Sequence, residues 1–167
     1  MKTFFAQKNK GFTVLFSVVV SALVLAIGLS IANITLKQIR ISTLGRDSQV
    51  AFYAADSGSE CVMYHDLINE AFATSSESDQ AALPDTISCF GGEGNVEIDS
   101  LEDDSATSTI TLSDDQGASG FCANVQIGKY DTNDDGYTDK TIILSRGYNL
   151  CNIDSTRLLE RGIRIKY

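Results

Sequence analysis

The sequence predicts an α+β fold in which a long N-terminal helical spine, membrane-spanning in its first half, packs against a small antiparallel β-sheet. Three observations point there. No charged residue occurs from Phe12 to Leu36. Beyond Leu36, as far as about Phe72, the chain lacks proline and keeps apolar or small residues at helical spacing. After Pro84, the only proline, come short runs in which apolar and polar residues alternate with period two.

The span is the first element. Phe12–Leu36 exceeds the ~20 residues that a helix rising about 1.5 Å per residue needs to cross ~30 Å of hydrocarbon. It is also longer than the ~7 to 15 apolar residues of a cleavable secretory signal. Lysines flank it before (Lys2, Lys8, Lys10) and basic residues after (Lys37, Arg40, Arg46), so charge alone leaves the orientation open. The leader is assigned to the cytoplasm because everything beyond the span has the composition of an exported domain. This divides the chain into a leader (1–11), a transmembrane helix (12–36), an exported half of the spine (37–73) and a sheet domain (74–167).

Composition narrows the function classes. The 167 residues carry a formal net charge of -9, and no lysine or arginine lies between Asp47 and Gly128. An acidic stretch of that length repels phosphate backbones, which argues against general nucleic-acid binding, and it suits a solvated exported surface. Cys61, Cys89, Cys122 and Cys151 all follow the span. An even number of exported cysteines suggests disulfides in one of three connectivities, and the absence of a CxxC pair argues against a zinc site.

Along the exported spine, Ile39, Thr43, Val50, Ala54, Gly58, Cys61, Met63 and Tyr64 recur at helical spacing, which predicts a helix to about Phe72. Gly45 and Gly58 mark places for a kink or a close approach, with helix–helix packing the expected use of Gly58. The small, polar segment ATSSESDQAALPDTIS forms the exit loop. The runs NVEIDSL, TSTITL, FCANVQI, TIILSRGY and RGIRIKY then read as strands, with Gly-, Asp- and Ser-rich connections such as CFGGEGN and SDDQGASG.

A basic leader ending in glycine, then phenylalanine, then an apolar helix running into a domain capped by an antiparallel sheet resembles the type IV pilins and pseudopilins. Lys10-Gly11-Phe12-Thr13 looks like the signal cut after glycine by the prepilin peptidase, which methylates the new amino terminus. Gly11 and Phe12 are the matching residues. The block AFYAADSGSEC resembles the AxxAAexG segment of PilX-type minor pilins. The resemblance implies other pilin subunits as partners through the N-terminal helix, the peptidase as a processing partner, and the membrane as the precursor's location before an extracellular filament. Most pilins carry glutamate where this chain has Phe16. Its loss removes a docking contact and also an otherwise unpaired buried charge. That implies a minor subunit, with tip placement and simple lipid packing of Phe16 as the two readings.

DTNDDGYTD is the second informative stretch. Asp131, Asn133, Asp135, Gly136 and Asp139 match positions 1, 3, 5, 6 and 9 of a calcium loop, with the Tyr137 carbonyl at position 7. Ile142 stands where an EF-hand has its bidentate glutamate, so the expectation is a calcium-binding hairpin loop of incomplete coordination, set against a plain Asp-Gly turn. If Gly128 pairs with Thr141 across this loop, Cys122 comes opposite Gly147 and Cys151 follows closely, so Cys122–Cys151 and Cys61–Cys89 are the expected bridges.

No catalytic arrangement is expected. Any Ser/His/Asp or Cys/His set must use His65, the only histidine, which sits on the spine without a GxSxG or a phosphate-cradling loop. Asp103-Asp104 and Asp114-Asp115 read as solvated loop acids. Two function classes follow: a minor subunit of a type IV pilus-like filament, or a non-polymerising, membrane-anchored calcium-binding or adhesion module. The basic run Arg157, Arg161, Arg164, Lys166 is expected first on the outer face of a last strand, with contact to an acidic neighbouring subunit or to DNA as the other readings.

Overall fold

The computed structural model describes residues 11–72, 84–89, 92–102, 104–114, 120–132, 138–152 and 154–167. Its elements are α1 (Gly11–Asn69), β1 (Thr86–Cys89), β2 (Gly92–Glu102), β3 (Ser105–Ser113), β4 (Cys122–Tyr130), β5 (Lys140–Tyr148) and β6 (Glu160–Lys166). The fold is α+β, as the sequence predicts. The chain divides into two compact units, Met1–Leu44 and Gly45–Tyr167.

In the first unit the described residues are all helical, and from Phe12 to Leu44 every side chain is exposed. Four hydroxyls in this stretch, those of Ser17, Ser21, Thr35 and Thr43, are satisfied by the helix's own carbonyls. Ser17 donates to the Val14 carbonyl at 2.8 Å, Ser21 to Val18 at 2.9 Å and Thr35 to Ile31 at 2.9 Å. No side-chain donor among these is left to face an apolar solvent unpaired.

In the second unit, α1 from Gly45 to Asn69 lies on a six-stranded antiparallel sheet whose order is the chain order, β1-β2-β3-β4-β5-β6. The helix ends at Asn69, earlier than the expected Phe72. Glu70 adopts a left-handed φ of 50°, and the Ala71 N–H returns to the His65 carbonyl at 3.2 Å. This turn brings Ala71 and Phe72, both buried, back onto the core instead of extending the helix past it.

The sheet holds one strand more than the sequence reading, β1, and β2 begins inside the glycine-rich segment taken there as a connection. Gly94 explains the misreading. A Cβ on it would lie 2.4 Å from Leu112 Cδ2, so this glycine marks close packing within a strand. The β4–β5 register also differs from expectation by one residue: Gly128 pairs with Ile142, and Cys122 with Tyr148. Ala123, Val125 and Ile127 must share the buried face with Gly147, Ser145 and Ile143, and only this register aligns them. The expected register would have set Arg146 opposite Ala123 on that face.

The helix meets the sheet through small residues. Ala51, Ala54, Ala55, Gly58, Ser59 and Val62 are buried at intervals of three and four. A Cβ on Gly147 would sit 2.2 Å from the Ala51 carbonyl oxygen and 2.2 Å from the Ala55 nitrogen. One on Gly58 would meet the Ala123 Cβ at 3.0 Å and the Ser145 Oγ at 3.1 Å. Gly58 therefore serves a helix–sheet contact, not the helix–helix contact expected from sequence. Gly147→Val is expected to lower stability by about 2 kcal/mol or more, because backbone and not a side-chain tip opposes it. Gly162→Ala, whose added carbon finds its nearest neighbour at 3.8 Å, is the matched control and should shift the denaturation midpoint little.

Candidate functional site

Three places carry the residues singled out from the sequence. The first is the apolar helix surface of the first unit. Phe12, Leu15, Phe16, Val19, Leu23 and Ile27 all expose large side chains, Phe16 at 61%. Apart from the helix's own backbone, nothing lies within 4 Å of where a Cβ on Gly28 would stand. The helix is long and apolar enough to cross a membrane once. Gly11 opens it and Phe12 follows, while the remainder of the leader lies outside the described residues.

The second place is the distal end of the β4–β5 hairpin. Of the expected calcium-loop residues, Asp131 and Asp139 are described, and Asn133, Asp135 and Tyr137 lie outside the described residues. Asp131 is buried, and its N–H donates to the Asp104 carbonyl at 2.8 Å. Asp139 clamps the hairpin mouth: its Oδ1 accepts the Thr132 N–H at 3.1 Å and its Oδ2 accepts the Thr132 hydroxyl. Two residues before Asp131, Lys129 reaches the helix, its Nζ 2.6 Å from Asp66 Oδ1, with both side chains nearly buried. The Tyr167 hydroxyl donates to Asp66 Oδ2 at 2.8 Å, so both carboxylate oxygens are engaged. Burial, then the hydrogen bond to Asp66 and its charge, raise Tyr167 and keep its proton on. Removing one member of this buried pair would strand the other's charge, a loss on the order of 3–5 kcal/mol. Sequence reasoning missed the pair. Its one signal was Lys129 as the first basic residue after Arg46.

The third place is the cysteines. Cys61 on α1 and Cys89 on β1 are joined by a disulfide with Cα atoms 6.1 Å apart, tying the helix to the edge of the sheet. His65, one helical turn on, brings its ring within 4.8 Å of both sulfurs. The bond occupies those sulfurs, and His65 Nδ1 contacts the Asn69 amide nitrogen at 2.9 Å. Cys122 and Cys151 are thiols here, so the expected second bond is not formed. They are nevertheless in contact, because the Cys151 N–H donates to the Gly120 carbonyl at 3.0 Å and folds the segment after β5 against the start of β4. Cys122, Asn124, Tyr148, Leu150, Cys151 and Leu158 line a cavity of about 190 Å³. Burial first, then the hydrogen bond Cys122 gives Cys151 and the nearby charges of Cys151 and Asp114, push the Cys122 thiol from 9.0 up to about 12. Burial also raises Cys151, against a lowering by the hydrogen bond it accepts.

The basic run divides between the two faces of the sheet. Arg161 turns toward the helix, its Nε donating to Ser48 Oγ at 2.8 Å, and Arg157 approaches Asp47 at 3.6 Å. Arg164 and Lys166, paired with Leu144 and Ile142, occupy the outer face expected for the whole run. Comparison with family models, curated proteins and solved structures finds no match to this chain. The architecture, a long apolar N-terminal helix with an antiparallel sheet packed on it, is pilin-like.

The cysteine pair has a pH consequence. Above pH 9 the unfolded chain ionises Cys122 while the folded chain holds its proton, so stability falls between about pH 9 and pH 12. Tyr148 and Tyr167 are raised too and act in the same direction. Cys122→Ser should make the alkaline loss shallower without abolishing it, as read by denaturant midpoints from pH 8 to pH 11. At pH 8, iodoacetamide should modify Cys122 roughly tenfold or more slowly in the folded than in the unfolded chain.

Proposed function

We propose that this chain is a minor structural subunit of a type IV pilus-like filament, of the PilX type, cleaved after Gly11 and assembled through its N-terminal helix. The observation that carries the reading is the uncharged helix surface from Phe12 to Leu36, exposed on every side while the same helix, farther on, is sealed against a sheet. An apolar surface of this extent must be covered, first by lipid and then, in a filament, by the equivalent helices of neighbouring subunits. Ser21, Ala22, Gly28, Ser30 and Ala32 allow those helices to approach closely. The role is structural and not catalytic. The precursor sits in the cytoplasmic membrane with its C-terminus outside, the mature subunit in the extracellular filament, and its partners are other pilin subunits and the prepilin peptidase. Phe16 in place of the family's glutamate supports a minor, initiating or tip position.

Intact mass and amino-terminal sequencing of the protein from cells test this reading. The expected chain starts at Phe12 and is heavier by one methyl group. A chain starting at Met1 would reduce it to a membrane anchor.

A second reading, a non-polymerising anchored module that binds calcium, is favoured by one observation: Asp131, buried, and Asp139 stand at the two ends of one loop. Oxygen donors of this kind suit a hard cation. Asp131, Asn133, Asp135, the Tyr137 carbonyl and Asp139 would hold it, and its bound charge would neutralise the loop's acids. Calorimetric titration of the full chain with millimolar calcium should release or absorb heat and raise the unfolding temperature. No heat and no thermal shift would remove calcium from the account.

A further inference from the structure

The sheet face turned away from α1 sorts its side chains by strand. β2 brings acids there: Glu97, Glu102, and Asp99, which accepts the Thr109 hydroxyl. β3 and β4 bring uncharged hydroxyls and amides, among them Thr107 and Gln126. β5 brings Ile142 and Leu144 between Lys140 and Arg146, and β6 brings Arg164 and Lys166. Between the acids and the bases lies an open groove of about 320 Å³, lined by Thr107, Gln126, Tyr130, Ile142, Leu144 and Arg164. Strand pairing sets Gln126, Leu144 and Arg164 in one row and Thr107, Gly128 and Ile142 in the next. A Cβ on Gly128 would stand 2.8 Å from the Tyr130 hydroxyl oxygen, so this glycine lets the ring lie back along β4 and wall the groove. Lys140 Nζ stands 5.4 Å from the centroid of that ring. Among the described residues neither the Arg164 nor the Gln126 side chain has a hydrogen-bond or ion-pair partner, whereas Arg146 is 4.0 Å from Glu160.

We propose that this groove binds a pyranose sugar carrying a carboxylate. The planar Arg164 guanidinium offers a fork that matches a carboxylate, and Lys166, two residues on and on the same face, adds a second positive charge. The Gln126 amide and the Thr107 hydroxyl can each both donate and accept, which is what sugar hydroxyls require. Ile142, Leu144 and the Tyr130 ring supply apolar surface for the C–H face of the sugar ring. A concave site with apolar lining and a few convergent polar groups is the usual form of a small-ligand pocket, and the volume is at the small end of the ~300 to 1,000 Å³ range.

The charge gradient fixes the orientation of the ligand. Arg164 stands level with Glu97 but four strand spacings away, about 19 Å, too far for the two to pair. A carboxylate is therefore drawn to the β6 side and repelled from the β2 side, while the hydroxyls fall over Gln126 and Thr107. Asp139, beside Lys140, is engaged by Thr132. An extended polyanion such as a nucleic acid, laid across the strands, would run onto the acids of β2, so the groove selects a single negative charge. The site lies wholly on the face away from α1, so it goes beyond the filament reading and stands without it.

The test uses the full, uncleaved chain, isotopically labelled, in zwitterionic detergent micelles. The methyl glycosides of glucuronic and galacturonic acid are titrated in while the NMR signals of the Gln126 side-chain amide and the Arg164 Nε–H are followed. The expected result is a saturable shift of both signals with at least one of the two acids. The neutral methyl glucoside and methyl galactoside, which lack the carboxylate, and acetate, which lacks the ring, should each bind at least about tenfold more weakly. Arg164→Gln should also weaken binding about tenfold or more. It should leave the denaturation midpoint unchanged, because Arg164 is exposed and makes no side-chain contact that folding would lose. No saturable shift with either acid, equal binding of the neutral glycosides, equal binding of acetate, which would mean a bare anion site only, or unchanged affinity in Arg164→Gln would overturn the proposal. None of these outcomes bears on cleavage after Gly11, so the two readings fail separately.

Discussion

The close approach of α1 to the centre of the sheet constrains the rest of the second unit. Where Gly147 meets the backbone of Ala51 and Ala55, and Gly58 meets Ala123 and Ser145, no larger side chain fits on either side. That contact requires Ala123, Gly147 and Ser145 on one face, which sets the β4–β5 register and, through the alternation of strands, the face of every neighbouring residue. The buried Lys129–Asp66 pair and the Cys61–Cys89 bond then fasten the sheet to the helix at two further points. One lies at the hairpin end of β4 and the other at the edge strand β1. The spine segment AFYAADSG, which resembles a pilin motif, thus has a physical reading in its own right: it is the small-residue face that a sheet can approach.

The same helix is built for two surroundings. Up to Leu44 it is exposed on all sides, and the hydroxyls of Ser17, Ser21, Thr35 and Thr43 are satisfied by its own carbonyls. From Ala51 onward it turns a narrow face of small residues to the sheet and leaves Tyr53, Glu60, Tyr64 and Leu67 exposed on the other. On the proposed reading, the first pattern suits a helix that lies first in lipid and then among its own kind. The second pattern suits a helix that must hold a sheet in one register.

Much of this was legible in the sequence because it depends on local pattern. The span follows from an uncharged run, and most of the strands follow from alternation in FCANVQI, TIILSRGY and RGIRIKY. The pairing of Cys61 with Cys89 is reached from sequence by elimination, once Cys122 is given to Cys151, and the structure keeps that pair alone. What escaped depends on contacts between distant residues. Gly94 looked like loop composition, although it is a strand glycine under Leu112. The one-residue register error arose because alternation fixes which residues share a face within a strand, while pairing between strands also needs the helix that both must accommodate. Asp66 and Lys129 were invisible as a pair, since 63 positions separate them and neither sits in a motif. The Cys122–Cys151 contact was anticipated, but the two sulfurs stand as thiols in contact and not as the expected bond.

If the exposed apolar helix is an assembly surface, the mature protein leaves the membrane. The most direct measurement is its distribution between sheared extracellular filaments and washed membranes, followed with an antibody to the sheet domain. The account predicts that part of the protein sediments with the filaments and that it is found on them by immunogold labelling. Retention of all of it in the membrane, in cells that make filaments, would contradict the central claim.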